Sequence, residues 1–426
     1  MRLIFSALVG VSLSMALFKA APALAADITL DSAALATSAK GKITFKTVAL
    51  TDCNLSYDEA TSLFSGSLPR EEAGALLERM TAKTLKIPEA DILAENGDQF
   101  VLRDITVENI AKGGAEKISL ASIEGVLPDD SGDATLHSGP LRLESVALPG
   151  LAAALRGGDI GLAALRFAHL SWDGGDVSTV DKGTAAGVAG GNRILLHAGA
   201  SHVDQTLDAD GAPISVDAQF SGLSMKMPPQ SKGGATLSAF GYAEITGDAH
   251  FSGAYEAPAK TYRLADYSLD LQKIGKISVS GQFSALEKSA FTGDKPAREA
   301  AMHGATVDWV QFTVINSGIF EKVVAFTSLS QGRSPDAIKA EWRGIVSQAP
   351  MLFSGAPAIA AAAKAADRFI LDPKTLTLRV KGKYAPLKVE DLVHVADPMG
   401  FINRLDIDTG PNSEKSVSDK PTSARP

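Results

Sequence analysis

The chain has 426 residues, with 41 Lys plus Arg against 49 Asp plus Glu and a formal net charge of −8. Nucleic-acid-binding proteins carry basic patches that neutralise phosphates, and this acidic chain has no basic run, so we predict no nucleic-acid partner. Its one cysteine, Cys53, excludes an intramolecular disulfide. Because no His or cation adjoins Cys53 to lower its pKa, we predict a buried structural thiol.

The first 25 residues have the pattern of a secretory signal peptide. Met1-Arg2 gives a positive start, an apolar stretch covers 3–18, and Ala23-Leu24-Ala25 supplies the small residues of a cleavage site. The apolar stretch is shorter than the roughly 20 residues that span a bilayer. We therefore predict cleavage near Ala25, a periplasmic location and no membrane span after cleavage.

The next region alternates apolar and polar residues, which is typical of half-buried strands. Early strands are predicted at 41–50, 99–110, 117–126 and 140–148. Between the first two, Pro69 indicates the start of a helix, with Glu71 and Glu72 in its positive first turn. Its apolar stripe consists of Ala73, Leu76, Leu77, Met80 and Thr84. We expect Pro88 to end it, which gives a helical insert near 69–87.

Alternation is clearest in the middle of the chain, at 214–227, 243–255, 267–272 and 277–284. Short breaks separate the last three segments, as in an antiparallel meander with one wet face. In the first segment the apolar face changes parity at Gly222, which predicts a bulge or a bend.

Helices dominate the predicted C-terminal part. Apolar spacing predicts a helix at 319–330, and Ser334-Pro335 is a good start for another that carries Trp342. Further elements are expected at 358–369 (helix), 375–380 (strand), 389–395 and 398–405 (helical turns). The polar tail at 409–426 is expected to be disordered.

Together these elements predict a mainly β protein of the α+β class, with a long curved antiparallel sheet or packed sheets. The predicted organisation is a signal peptide at 1–25, a β-rich region at 26–300, an α+β region at 301–408 and the tail at 409–426.

Metal-binding patterns are weak. The run from Thr206 through Asp208 and Asp210-Gly211 to Asp217 approaches the spacing of a calcium loop, but its first and last positions lack the usual ligands. An Asp-Gly hairpin explains the same residues. His197 and His202 could meet across a hairpin and bind a transition metal, with scattered surface histidines as the alternative. We predict no metal site and no cofactor.

No GxSxG, phosphate-binding loop or CxxC motif is present in the sequence, so we predict no catalytic residues and no enzymatic activity. The alternative is a hydrolase-type enzyme with a dispersed site. Its residues would come from the densest polar cluster of the β region: His169, His197, His202, Asp204 and Asp208. An unbroken strand would send His197 and His202 to opposite faces, so only a turn or bulge at Gly199 would let them converge.

Five short segments carry a resemblance to known proteins: GKITFKTVAL (41–50), AFTGDKP (290–296), INSGIFEK (315–322), FILDPKTLTL (369–378) and ADPM (396–399). With them the chain resembles a group of uncharacterised secreted bacterial proteins, and its amphipathic strands look like the YdgA and AsmA types of cell-envelope protein. The resemblance implies a long curved β-sheet and, for AsmA-like members, the handling of envelope lipids. It assigns no functional residue.

Two functional hypotheses therefore stand beside the enzyme. The first is a non-enzymatic cell-envelope protein that binds a hydrophobic ligand, such as a lipid, or an envelope protein along its sheet. The second is a structural scaffold without a small ligand, in which the one-sided apolar strands only form the core.

Overall fold

A computed structural model describes residues 25–36, 42–94, 96–128, 132–147, 166–180, 193–209, 212–292, 295–393 and 397–409. About 50% of the chain is strand and 28% is helix, and every strand pair described is antiparallel. The predicted class, mainly β of the α+β type with a large antiparallel sheet, is confirmed. The predicted signal peptide (except Ala25) and the predicted tail (except Thr409) lie outside the described residues.

The chain divides into two compact units. Unit 1 contains residues 1–272 and 285–305, and unit 2 contains 273–284 and 306–426. The strand at 275–284 thus belongs to the second unit, whereas the sequence placed it in a β-rich region that continues to 300.

Unit 1 contains fifteen described strands. They are β1 (Ala26–Ala36), β2 (Lys42–Cys53), β3 (Ala82–Leu93), β4 (Gln99–Ala111), β5 (Gly114–Leu120), β6 (Ser122–Leu127), β7 (Ala134–Ser138), β8 (Leu141–Ala147), β9 (His169–Trp172), β10 (Gly175–Val180), β11 (Arg193–Ala198), β12 (Ser201–Leu207), β13 (Pro213–Lys226), β14 (Ile245–Glu256) and β15 (Thr261–Leu271). Its described helices are α1 (Tyr57–Ser65), α2 (Arg70–Arg79), α3 (Lys232–Ala239), α4 (Ser289–Thr292) and α5 (Lys295–Gly304).

Between β4 and β13 the sheet of unit 1 is built from short strands laid end to end. Strand β4 pairs with β5 at one end and β6 at the other, and two series then run side by side to β13. One series is β5, β8, β9 and β12, and the other is β6, β7, β10 and β11. The last strand of each series pairs with β13. Strand β13 in turn pairs with β14, and β14 pairs with β15.

The breaks between the short strands lie next to one another and form a crease across the sheet. Gly139 N donates to Gly174 O at 2.7 Å, and Gly199 N donates to Ser221 O at 2.9 Å. Gly222, the predicted bulge, has a φ of 61° at the register shift of β13. A Cβ on Gly174 would lie 2.4 Å from Ala198 O, so only glycine permits this approach of neighbouring strands.

Helix α2 begins directly after Pro69, as predicted, but it ends at Arg79, well before the predicted end near 87. Helix α1 was missed, although Ser56 and Glu59 form a capping box at its start. Strand β3 begins at Ala82 and runs through Pro88, so Pro88 lies inside a strand and does not end the helix. Pro88 is tolerated there because it has no partner on β4: in the register, Ile87 pairs with Ile105 and Glu89 with Arg103.

The main core of unit 1 lies where α1 and α2 meet one face of β1–β6. Val48, Leu63 and Cys53 are fully buried there, and the rings of Phe45 and Phe64 pack edge to face with centroids 5.8 Å apart. The apolar side chains come from alternate positions of the strands, so the other face of the same strands is left polar.

Unit 2 combines strands with a group of helices. Its elements are β16 (Gly275–Ser284), β17 (Thr306–Asn316), α6 (Ile319–Gln331), α7 (Pro335–Leu352), α8 (Pro357–Leu371), β18 (Thr375–Gly382), β19 (Leu387–Lys388), α9 (Val389–Val393), α10 (Pro398–Asn403) and β20 (Leu405–Asp408). The ring of Phe320 on α6 contacts Trp342 on α7 and Phe369 on α8, with centroids 5.9 and 5.5 Å away. The predicted helices at 319–330, after Ser334 and at 358–369 are confirmed.

None of the described helices is both long and apolar enough to cross a membrane.

Candidate functional site

An apolar groove lies on one face of unit 1, in the region of β7 and β9–β15. It has a volume of about 340 Å³. Its lining consists of Leu136, Trp172, Gly175, Val177, Leu196, His197, Ala198, Leu223, Ser224, Met225, Ile245 and Leu271. This volume falls within the range of roughly 300–1,000 Å³ that is usual for small-molecule sites. We call this site the apolar groove.

The register of the sheet assembles the groove. Directly paired residues of antiparallel strands share a face, so one row can collect a side chain from each strand. Here the row runs from Leu136 to Val177, Leu196, Met225 and Ile245, across β7, β10, β11, β13 and β14. Five apolar residues from five strands thus lie side by side.

Trp172 forms part of the groove wall and is fixed by a hydrogen bond. Its indole Nε1 donates to the Oγ of Ser138 at 2.8 Å, and Ser138 is buried. Gly175 makes room for the ring, because a Cβ there would lie 3.1 Å from the ring carbon Cζ2. The polar atom of Trp172 is therefore satisfied within the sheet, which leaves the ring as apolar surface.

The apolar surface continues past the groove along β15. Leu271 lines the groove, and alternation places Leu269 and Tyr267 on the same face. Leu269 is 39% exposed and Tyr267 is 60% exposed. Within the groove, Leu196 is also 39% exposed. Large apolar side chains on this face are thus accessible from outside the chain.

The opposite face of the sheet carries two rows of polar residues along β8, β9 and β12–β15, which we call the polar ladder. The first row is Glu144, His169, Asp204, Asp217, Ser252 and Asp266. The second row is Arg142, Ser171, His202, Gln219, His250 and Ser268.

Hydrogen bonds link the strands through this ladder. His250 on β14 lies between two carboxylates, with Nδ1 2.9 Å from Asp266 Oδ2 and Nε2 3.1 Å from Asp217 Oδ2. Ser268 Oγ donates to Asp266 at 2.9 Å. The hydrogen bond with Asp266, followed by that with Asp217, raises the pKa of His250 against the opposing effect of burial.

A polar depression of about 500 Å³ lies beside the ladder. Its polar lining consists of Asp204, Gln205, Thr206, Ser215, Asp217, Ser252 and Arg263. His169 Nδ1 is hydrogen-bonded to Asp204 Oδ1 at its edge. The His–carboxylate pair has the geometry of a general acid–base group, with the His169 side chain 37% exposed and that of Asp204 58% exposed.

The five residues of the predicted polar cluster are distributed over separate contacts. His169 and Asp204 are brought together, as the dispersed-site hypothesis requires. The Nδ1 atom of His197 instead lies 2.8 Å from Oδ1 of Asp176 on β10. Asp208 forms an ion pair with Lys288, with 2.6 Å between its Oδ2 and the lysine Nζ.

His197 and His202 do share the polar face, because the chain breaks at Gly199-Ala200 between β11 and β12. Their register partners on β13 are Ser224 and Gln219, which lie on opposite sides of the bulge at Gly222. The break at Gly199 therefore puts both histidines on one face, but their partners on β13 are five positions apart, so the predicted meeting of the two across a hairpin was wrong.

Among the described residues, no group of three or more His, Cys, Asp and Glu side chains is arranged to hold a metal ion. The weak calcium pattern falls in the turn between β12 and β13, where Asp208 Oδ1 accepts from Ala212 N at 2.8 Å. Asp210 and Gly211 lie outside the described residues. Asp208 therefore has a structural contact within the hairpin.

Cys53 is fully buried in the core beside α1. Burial raises the pKa of its thiol, which keeps the sulfur protonated and unreactive. The predicted structural thiol thus agrees with its surroundings.

Sequence reasoning missed the partners Asp176 and Asp266 and the central place of His250. Alternation did assign His250 to the polar face of its strand. Asp217 and Asp266 lie diagonally across from it in the neighbouring row, and the register that brings them within hydrogen-bonding distance depends on pairings across three strands, which local sequence patterns do not indicate.

Comparison with known proteins gives one family match. A protein-family model described as "Uncharacterized protein" matches residues 268–412, which cover most of unit 2. No curated protein matches the chain.

Proposed function

We propose that this protein is a non-enzymatic, exported cell-envelope protein that binds the hydrocarbon chain of a lipid in the apolar groove. The export part rests on the N-terminal sequence pattern, and the periplasmic location follows from it. The binding part is supported by one observation above all, the row of five apolar side chains that lines a groove of about 340 Å³.

The shape of the groove favours a lipid chain over a protein partner. A stable protein interface buries roughly 800 Å² on each partner, usually on a broad surface. The groove is instead a small concavity with few polar atoms. Such a lining offers little to orient a polar molecule and suits a flexible hydrocarbon, which gains about 0.8 kcal/mol for each buried methylene group.

Two neighbouring leucines provide a matched test. Leu196 lines the groove, and Leu195 lies on the opposite face of the same strand with a similar exposed fraction, 47% against 39%. We expect Leu196→Asp to abolish binding of a fluorescent fatty-acid probe, because a carboxylate in the groove loses its hydration. Leu195→Asp should bind the probe as the wild type does.

Mass spectrometry of an organic extract of the purified protein gives an independent readout. A lipid that co-purifies with the wild type and with Leu195→Asp, and is lost from Leu196→Asp, supports the proposal. A clean extract and no probe binding would instead support the structural scaffold.

One observation favours an enzyme as a second candidate. His169 and Asp204 are paired at the edge of the polar depression, as a general base and its orienting carboxylate would be. Hydrolysis of a panel of chromogenic esters, lost in both His169→Gln and Asp204→Asn, would favour this candidate over a binding protein.

A further inference from the structure

The turn between α7 and α8 in unit 2 exposes a cluster of large apolar side chains. Met351 is 75% exposed, Leu352 is 78% exposed and Phe353 is 37% exposed. Ile345, two helical turns earlier on the same side of α7 as Leu352, is 61% exposed. We call these four residues the apolar tip. Since one turn of helix rises about 5.4 Å, the tip extends over roughly 10 Å.

The backbone holds this tip in a defined shape. Gly355 N donates to Pro350 O at 2.7 Å, and Ala356 N donates to Phe353 O at 3.0 Å. Ser354 and Gly355 both have a positive φ, 54° and 74°, which reverses the chain after α7. The apolar side chains are therefore presented by a fixed turn.

The base of the turn is packed, in contrast to its outer side. Ala356 and Ala358 are buried at the start of α8. Farther along the two helices, Arg343 Nε lies 2.6 Å from Asp367 Oδ1 and joins α7 to α8. The apolar tip is thus the outer side of a helical hairpin whose base is packed and whose two helices are joined by an ion pair.

The charge around the tip is also unusual for this chain. Residues 342–366 contain no Asp or Glu, although the whole chain has 49. The charged residues in this stretch are Arg343 and Lys364. An apolar tip free of carboxylates can approach phosphate-bearing lipid headgroups without repulsion.

We propose that the apolar tip inserts into the interface of a lipid bilayer and docks the protein on its surface. Scaled by their exposed fractions, the four side chains offer on the order of 500 Å² at most, below the roughly 800 Å² that a stable protein interface buries on each partner. The depth of about 5–10 Å reached by interfacial segments matches the length of the tip. This proposal does not rest on ligand binding in the apolar groove, which lies in unit 1.

Vesicle co-sedimentation tests the proposal with matched leucines. Leu352→Asp changes the tip, and Leu329→Asp changes a leucine at the end of α6 that is 84% exposed. Leu329 lies near the start of α7, about 25 Å along that helix from Leu352. Both side chains are exposed, so both variants should keep the melting temperature of the wild type.

We expect the wild type to bind vesicles of phosphatidylcholine, alone or mixed with phosphatidylglycerol. Leu352→Asp should lower the partition coefficient by about tenfold or more, because an apolar side chain is replaced by a charge at the interface. Leu352→Phe and Leu329→Asp should bind as the wild type does.

A second variant reports insertion directly. The emission of Leu352→Trp should shift to shorter wavelength when vesicles are added, as the indole leaves water. No binding by the wild type, equal binding by Leu352→Asp, or an unshifted Leu352→Trp spectrum would overturn the proposal. Self-association that Leu352→Asp abolishes, without vesicle binding, would overturn it in favour of a protein interface.

Discussion

The Nδ1 atom of His250 on β14 lies 2.9 Å from Oδ2 of Asp266 on β15. The other ring nitrogen of His250 lies 3.1 Å from Asp217 on β13, so one imidazole joins three strands. A neutral imidazole has one N–H donor, whereas the protonated ring donates from both nitrogens. The complete link therefore requires the protonated form.

This link predicts a pH-dependent contribution to stability. Because the pKa of His250 is raised in the folded protein, its stabilising contribution is fully present below the unfolded value of about 6.5. It is lost as the pH rises through the folded pKa. The melting temperature of His250→Gln should therefore fall furthest below that of the wild type at pH 6 and approach it at alkaline pH.

Ser268→Ala is the control for this prediction. It removes the hydroxyl that also donates to Asp266 but no titrating group, so its effect on Tm should vary little with pH. A difference between wild type and His250→Gln that stays constant from pH 5.5 to pH 9 would contradict the role of the protonated ring.

The backbone conformations of two glycines, Gly222 in the crease of unit 1 and Gly344 in a helix of unit 2, predict opposite effects of alanine. Gly222 has a φ of 61°, so Gly222→Ala should destabilise by about 1–2 kcal/mol through backbone strain. Gly344 lies inside α7 with open space where an alanine methyl group would stand, so Gly344→Ala should stabilise by about 0.5–1 kcal/mol. Urea unfolding, followed separately for each unit by hydrogen exchange, measures both changes. Equal effects of the two substitutions would show that backbone conformation is not the cause.

The start of α1 predicts a measurable capping energy. Ser56 Oγ accepts from Glu59 N at 3.2 Å, and Glu59 Oε2 accepts from Ser56 N at 2.8 Å. Ser56→Ala should therefore lower the free energy of unfolding by about 1 kcal/mol. Ser62→Ala, inside the same helix, should have no effect or stabilise slightly, since alanine is the better helix former. A loss of stability at Ser62 as large as that at Ser56 would argue against the cap.

The burial of the Cys53 thiol predicts that it reacts slowly with thiol reagents in the native protein. Cys53 is fully buried and burial raises its pKa, so a thiol reagent at pH 8 should react with it only on unfolding. The reaction rate in increasing urea should follow the unfolding transition of unit 1. Rapid labelling of the native protein, at the rate of a free thiol, would contradict the packing around α1.

Local patterns predicted much of the fold. Alternation identified β13 and β14 together with the bulge at Gly222, because a half-buried strand repeats every two residues. The start of α7 was likewise predicted from a local pattern, the pair Ser334-Pro335. The end of the helical insert was predicted too late because Pro88 ends helices in most contexts, whereas here an unpaired position of β3 accommodates it.

Such local patterns could not predict the apolar groove or the contacts of the polar cluster around His169. Each apolar residue of the groove could be assigned to a face of its strand, yet the row from Leu136 to Ile245 joins residues more than 100 positions apart. The polar cluster predicted around His169 does not form one site for the same reason, because the register places His197 beside Asp176 of another strand. Register across a sheet is set by turns, breaks and packing together.

The sequence by itself determined the strand class of this protein, the polarity of each strand face and the helices of unit 2, because periodicity and helix starts depend on neighbouring residues. Only the tertiary structure decided that apolar side chains from five strands line one groove, that His250 joins Asp217 to Asp266, and that Met351 and Leu352 stay exposed. These outcomes depend on which distant strands pair and which side of a helix is covered, and both are settled by contacts between residues far apart in the chain.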